Sequence, residues 1–292
     1  MARRRAQEEK RSPVRSTYHL VRWGLSVLVV AVTAVVLPVT PASATAGAPG
    51  SMAGLGDSIT RGFNACGWYV DCTYRSFSTG GSSLVSSHYL RIRAKNPAIA
   101  GNNHNDARSG AKASAMPAQA ATAVSQKVQY VTMLIGANDA CTGSESTMTS
   151  VAGYRSSIDS ALVTLKTGLP DARIAVISIP DVYRLWQVGR TNAAALVAWS
   201  TYGVCQSMLH RAWSTSSTDE NRRQRVRQRV IDYNTQLAEA CAAYGPNCVF
   251  DDNAVFGYQF TLSQVSTWDY FHPNTSGQAV LARISYTAGF NW

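Results

Sequence analysis

The chain carries no G-x-S-x-G elbow, no G-x-x-x-x-G-K-S/T loop and no H-E-x-x-H pair. Their absence leaves the common α/β-hydrolase fold, P-loop phosphate chemistry and the zinc-protease helix without support. No C-x-x-C pair or His-rich tract is present, so a metal centre has no ligand set. No long linker, low-complexity segment or internal repeat interrupts residues 45–292, which read as one domain. Acidic residues are scarce: 17 Asp and Glu face 27 Lys and Arg in 292 residues, a formal net charge of +10. Much of that excess sits at the amino end. Seven of the cations and two of the acids lie in residues 1–44, which leaves 20 and 15, a net charge of +5. The basic balance therefore does not describe a nucleic-acid surface, and no nucleic-acid partner is expected. One dense basic cluster remains: Arg222, Arg223, Arg225, Arg227 and Arg229. Val226, Val230, Tyr233, Leu237 and Cys241 recur through it at helical spacing, so the arginines between them are predicted to face solvent.

What is present begins with a leader. Residues 1–22 are basic, residues 23–39 form an uncharged apolar run, and Pro41-Ala42-Ser43-Ala44 follows. That is the layout of a cleavable signal peptide, with the cut expected after Ala44 and the product secreted. The rival is an uncleaved anchor, but the apolar run is short for a span and contains Pro38. All six cysteines lie beyond the cut: Cys66, Cys72, Cys141, Cys205, Cys241 and Cys248. An even count in an exported chain reads as three disulfides, and six cysteines allow fifteen pairings. Cys66 with Cys72 and Cys241 with Cys248 are close in sequence; pairing them locally leaves Cys141 with Cys205.

Short apolar runs alternate with helical patterns. Strands are predicted at residues 52–55, within 98–107, and at 128–135, 173–179 and 248–250. Helical stretches lie near residues 85–94, 115–126, 147–168, 192–213, 219–244 and 275–288. This order implies an α/β fold, a three-layer α/β/α sandwich around a central parallel sheet. Ligands in such sheets bind beyond the carboxyl ends of the strands.

Gly56-Asp57-Ser58-Ile59-Thr60 leaves the first strand, turns on a glycine and offers one serine. A serine hydroxyl is a poor nucleophile until a base removes its proton. Four histidines lie beyond the leader: His88, His104, His210 and His272. His272 is the best placed, in a loop before the last helix, with Asp269 three residues earlier to orient its ring. Acyl transfer also needs donors where negative charge develops on the carbonyl oxygen. Three are proposed: the Ser58 N–H, the Gly110 N–H in Arg108-Ser109-Gly110-Ala111, and the Asn138 amide in Gly136-Ala137-Asn138-Asp139. Taken singly, Gly110 also reads as a plain turn residue and Asn138 as a helix cap.

Taken together, Gly-Asp-Ser, a lone glycine, Gly-x-Asn-Asp and Asp-x-x-His resemble the SGNH (GDSL-type) hydrolase family. Ser58, Gly110, Asn138 and His272 match its four name residues in order. The neighbouring segments and the six cysteines resemble its secreted actinobacterial esterase and lipase branch. The resemblance implies a flavodoxin-like sandwich without cofactor and sequential disulfides. It also implies that either Asp269 or a backbone carbonyl orients His272. Two decoys fall away: Ser109–Lys112 fits S-x-x-K and Lys166–Gly168 fits K-T-G, but no S-D-N lies between them.

The expected function is hydrolysis of a small-molecule or lipid ester by a monomer, with transient contact to a lipid surface. A lipase or carboxylesterase is preferred over a carbohydrate acetylesterase. Trp68, Tyr69, Trp186 and Trp199 either line an acyl pocket, stack on sugars or belong to the core. The rival of a different class is a secreted binding module that keeps the fold without catalysis. The intact serine, histidine and asparagine set argues against it.

Overall fold

The computed structural model describes residues 47–292. The proposed leader, residues 1–44, lies outside the described residues. Five parallel strands, β1 (Met52–Gly56), β2 (Asn103–Asn105), β3 (Tyr130–Leu134), β4 (Arg173–Val176) and β5 (Cys248–Phe250), form one sheet in the order β2-β1-β3-β4-β5. The register pairs Met52 with both Asn103 and Tyr130, and Tyr130 with Arg173. Around the sheet run α1 (His88–Arg93), α2 (Met116–Ser125), α3 (Ala137–Ala140), α4 (Val151–Gly168), α5 (Val182–Gly189), α6 (Ala193–Thr201), α7 (Gln206–Leu209), α8 (Ser217–Tyr244), α9 (Ala254–Gly257) and α10 (Thr275–Thr287).

The central strands β1, β3 and β4 are largely apolar on both faces, as buried parallel strands are, whereas edge strand β2 is Asn103-His104-Asn105 and half-buried. Ala53, Leu55, Val131, Met133, Ile174 and Val176 alternate onto one face and share a core with residues of α2, α4 and α8. Met52, Tyr130 and Ala175 alternate onto the other, against Tyr89 and Ile92 of α1 and Tyr286 of α10. The α/β sandwich expected from the sequence is therefore the fold observed.

The predicted helix over 192–213 is instead two. α6 stops at Thr201, Gly203 takes φ +62°, and Cys205 takes a left-handed φ of +45° before α7. The break brings Cys205 to Cys141, to which it is disulfide-bonded. The other disulfides are Cys66–Cys72 and Cys241–Cys248. The Cys141–Cys205 link closes the longest loop, and the chain-entropy account gives it roughly 4 kcal/mol. α5 had no periodic signal long enough to read; its start is set by Asp181, whose carboxylate accepts the Tyr183 N–H at 3.0 Å.

The arginine cluster on α8 departs from expectation. Arg225 is exposed as expected, but Arg222, Arg227 and Arg229 are half-buried and Arg223 is buried, and each fastens α8 to a neighbour. Arg223 is 0% exposed, donates to the Ser214 carbonyl and lies 4.0 Å over the Trp186 ring. Arg227 pairs with Asp181 at 2.8 Å and Arg225 with Glu145 at 2.6 Å. Arg222 and Arg229 donate to the carbonyls of His210 and Thr149. Helical spacing identified the apolar face. It could not show that α5 and the loop before α8 cover the opposite face.

Among the described residues no helix is long and apolar enough to cross a membrane.

Candidate active site

Ser58 follows β1, Gly110 follows β2 and Asn138 follows β3, so three chain segments converge on the carboxyl edge of the sheet. The turn into Ser58 requires glycine. Gly56 has φ +145°, and a Cβ there would stand 2.2 Å from the Leu134 carbonyl oxygen. Gln119 of α2 holds that peptide from both sides: Oε1 accepts the Gly56 N–H at 2.7 Å and Nε2 donates to the Gly56 carbonyl at 2.9 Å. Gln278 of α10 donates to the Ile59 carbonyl at 2.9 Å, which ties the serine turn to the helix following His272.

Ser58 Oγ lies 2.8 Å from His272 Nε2. His272 Nδ1 lies 2.6 Å from Asp269 Oδ2. Of the two orienting groups left open by the sequence, it is the carboxylate that stands at Nδ1. The Asp269 side chain is itself fixed: Oδ1 accepts the backbone N–H groups of Phe271 and His272 at 2.9 and 3.1 Å. Oδ2 accepts a second bond, from Asn64 Nδ2 at 2.7 Å. Asn64 is buried with φ +64°. Neither it nor Gln119 was singled out from the sequence. An asparagine six residues from a serine and a glutamine in a helix carry no local signal of their role.

The backbone N–H groups of Ser58 and Gly110 donate to no acceptor among the described residues. Gly110 is exposed at φ +80°. Asn138 Nδ2 donates one hydrogen to the Ala111 carbonyl at 2.9 Å, which leaves its other hydrogen free for a ligand. Asn138 is not a helix cap: Gly136, at φ +128°, occupies the N-cap of α3. A Cβ on Gly136 would meet Ile179 Cδ1 at 2.4 Å, so the close packing of this turn excludes any larger residue.

Asp57, beside the serine, is fully buried and bonds through Oδ1 to the Ile59 N–H at 2.9 Å. It shapes the turn rather than capping a helix. Burial pushes its carboxyl up to about 7, the Ile59 bond and nearby His272 pull it down, and Asp139 pushes it up again. Burial also raises the Asp139 carboxyl, which accepts the Ala113 N–H at 2.9 Å.

An apolar pocket opens beside this set. Ile59, Ala137, Phe271 and Pro273 line its near end, each adjacent in sequence to Ser58, Asn138 or His272, and Leu185 and Val188 of α5 line its far wall. Phe63 packs its ring 4.9 Å from His272 and 5.0 Å from Tyr69. Trp68 and Tyr69 are 68% and 55% exposed, whereas Trp186 and Trp199 are core. Asn274 caps α10, accepting the Gly277 N–H at 3.1 Å.

The sequence profile of the GDSL-like Lipase/Acylhydrolase family matches residues 52–284, from the first strand into the last helix. Comparison with curated proteins finds no match. Among solved structures, a catalytic variant of an acetylxylan esterase from Geobacillus stearothermophilus has a TM-score of 0.51 at 14% identity, over 85% of this chain and 98% of that one. A protein described as a GDSL-like lipase, from Parabacteroides merdae, has a TM-score of 0.51 at 17% identity, over 82% and 94%. An extracellular lipase from Streptomyces rimosus has a TM-score of 0.43 at 17% identity, over 78% and 94%. At these identities the first two establish a shared fold and nothing about substrate. The profile match covers most of the chain, and on it the protein belongs to the GDSL-like lipase/acylhydrolase family and is a carboxylic ester hydrolase.

Proposed function

We propose that the protein is a secreted serine esterase or lipase that hydrolyses apolar carboxylic esters through an acyl-enzyme on Ser58. The observation that carries this reading is the Ser58–His272–Asp269 chain, at 2.8 and 2.6 Å, beside an apolar pocket that starts at Ile59. Ser58 Oγ attacks the ester carbonyl while His272 Nε2 takes its proton. Asp269 holds the ring in the tautomer that leaves Nε2 as acceptor and stabilises the cation that forms. The negative oxygen of the tetrahedral intermediate accepts from the N–H groups of Ser58 and Gly110 and from Asn138 Nδ2. Collapse breaks the bond to the alkoxy oxygen, which leaves as alcohol with the proton from His272. Water then enters; His272 removes its proton, and the second tetrahedral intermediate releases the acid and restores Ser58.

The pocket favours an acyl chain longer than acetyl, because burying successive methylenes is worth about 0.8 kcal/mol each and acetyl offers none. A lipid or alkyl ester therefore fits better than an acetylated carbohydrate. Exposed Trp68 and Tyr69 near the mouth suit transient contact with a lipid surface, where aromatic side chains keep an apolar body and a polar edge. Residues 1–44 serve as the cleaved leader and residues 45–292 as the catalytic domain, placed in the secreted actinobacterial branch. The three disulfides support an oxidising destination.

The test is hydrolysis of nitrophenyl esters from acetyl to long acyl chains, with Ser58→Ala as control and a serine-directed phosphonate to label Ser58. Rates should rise beyond acetyl. A maximum at acetyl, retained on acetylated oligosaccharides, replaces this reading with the carbohydrate acetylesterase. Failure of the phosphonate to label Ser58 would leave the binding module.

A further inference from the structure

We infer that Asp71 is a positioning residue that holds the two backbone oxyanion donors in one arrangement, by bonding at once to the segment after Ser58 and to the segment that carries Gly110. The inference rests on the proposed reading of the Ser58 and Gly110 N–H groups as those donors.

Gly110 sits in a turn closed by the Ala111 N–H on the Arg108 carbonyl at 3.0 Å. Its φ of +80° at the third position is the type II value. Type I and type II turns differ by a flip of the central peptide, here the Ser109–Gly110 peptide, and the N–H of that peptide is the donor. Glycine permits the type II form, but it adopts either sign of φ with ease and so cannot hold it. Nor does packing: Gly110 is exposed, and a Cβ placed there would meet nothing within 4 Å. The restraint has to act on the other residue of the peptide, Ser109.

Ser109 Oγ donates to Asp71 Oδ1 at 2.5 Å. The second oxygen of the same carboxylate accepts from Arg61 Nε at 2.8 Å. Arg61 belongs to the serine turn, since its N–H donates to the Asp57 carbonyl at 3.1 Å. Asp71 is presented from a short covalent ring: its neighbour Cys72 is disulfide-bonded to Cys66, and the Cys72 N–H donates to the Arg61 carbonyl at 3.1 Å. One carboxylate thus spans the two loops that supply the two backbone donors. Asp71 and Ser109 line a polar cleft that shares no residue with the apolar pocket, so the clamp can act on turnover without touching the acyl group. The Arg61 and Asp71 side chains are both partly exposed, and such a pair adds little to stability.

The experiment measures kcat, KM and thermal melting of Asp71→Ala, Asp71→Asn, Ser109→Ala and the double variant Asp71→Ala/Ser109→Ala on a medium-chain nitrophenyl ester, with Ser58→Ala alongside. Misplacing a donor costs less than deleting one, so Asp71→Ala and Ser109→Ala should each lower kcat by about 10- to 100-fold with KM within about twofold. The double variant should be no worse than Asp71→Ala, because the bond that Ser109→Ala removes is already lost there. Asp71→Asn keeps an acceptor for Ser109 but turns its NH2 towards the Arg61 Nε–H, so its kcat should lie between those of wild type and Asp71→Ala. Melting should shift little in the Ser109 variant, which keeps the reading testable if Asp71→Ala folds poorly. Wild-type kcat in Ser109→Ala, multiplying losses in the double variant, or equal losses in Asp71→Asn and Asp71→Ala would each overturn the clamp. If those results come with an inactive Ser58→Ala, the catalytic reading stands alone. An active Ser58→Ala would overturn both.

Discussion

His272 and His88 each reach a serine hydroxyl through Nε2, at 2.8 Å from Ser58 and at 2.7 Å from Ser285. Around these similar pairs the two regions are built for opposite ends. His272 Nδ1 faces the Asp269 carboxylate, and the ring lies beside the apolar pocket. His88 Nδ1 faces the Tyr130 hydroxyl at 2.8 Å inside the smaller core, with no exposure at all. The Ser285 hydroxyl hydrogen is committed to the Leu281 carbonyl at 2.6 Å, so His88 Nε2–H donates to Ser285 Oγ and Nδ1 accepts from Tyr130. Burial, with Arg91 adding to it, pushes the His88 imidazole down to about 3. A histidine beside a serine is therefore not a nucleophile pair in itself. It becomes one where a carboxylate can stabilise the imidazolium, where a substrate can enter, and where unbonded N–H groups await the developing charge.

Five measurements can break or sharpen this contrast. The largest effect belongs to the two serines. Ser58→Ala should lower kcat/KM by roughly 10⁴- to 10⁶-fold, while Ser285→Ala should keep kcat within about twofold. A folded Ser285→Ala enzyme without activity would erase the distinction. Next comes the carboxylate that only one histidine has. Asp269→Asn should cost on the order of 10⁴-fold in kcat, since the amide favours the wrong tautomer. A loss of only a few-fold would mean that Asp269 is not the group that orients His272. Third, Asn138→Ala should lower kcat by about 100- to 1000-fold and leave KM near wild type. An effect confined to KM would place Asn138 in binding rather than in oxyanion stabilisation.

The smallest effects are in stability, and their signs differ with pH. His88→Leu strands the Tyr130 hydroxyl, while Ser285 keeps its bond to the Leu281 carbonyl, and should cost about 1–3 kcal/mol in urea unfolding at neutral pH, with kcat unchanged. The native His88 stays neutral to about 3, whereas in the unfolded chain it takes up a proton below about 6.5. More protons are bound in the unfolded state over that window. Wild type should therefore lose stability relative to His88→Leu by about 1.4 kcal/mol per pH unit as pH falls through it. Asp57 works the other way. Its native carboxyl titrates near 7 and its unfolded one near 3.8, so the native state binds more protons between them. Stability from this group is full below about 4 and is lost as pH rises towards 7. Asp57→Asn should thus gain on wild type across that rise; a pH-independent difference between the two would show that Asp57 is ionised throughout in the native state.

The five strands and most helices were legible because each depends on a local pattern: apolar runs for β1, β3 and β4, helical spacing for α4 and α8. Ser58, Gly110, Asn138 and His272 were legible as motif residues, each in a short string of recognisable chemistry. The helix predicted over 192–213 misled because periodicity does not register a left-handed Cys205 drawn to a distant Cys141. The arginines of α8 misled in part, with Arg225 exposed and Arg223 buried, because a charge run looks the same whether water or another helix faces it. Arg223 became buried only when α5 brought Trp186 over it.

The sequence by itself determined the strand order along the chain, the serine turn and the residue types that acyl transfer needs, because propensity and motif chemistry act over a few residues. Only the tertiary structure decided that a carboxylate rather than a backbone carbonyl stands at His272 Nδ1, that Asn64 and Gln119 support the site, and that Asp71 spans two loops. Those are distances between residues as far apart as Ser58 and His272. The packing of helices on a parallel sheet, rather than any local preference, sets them.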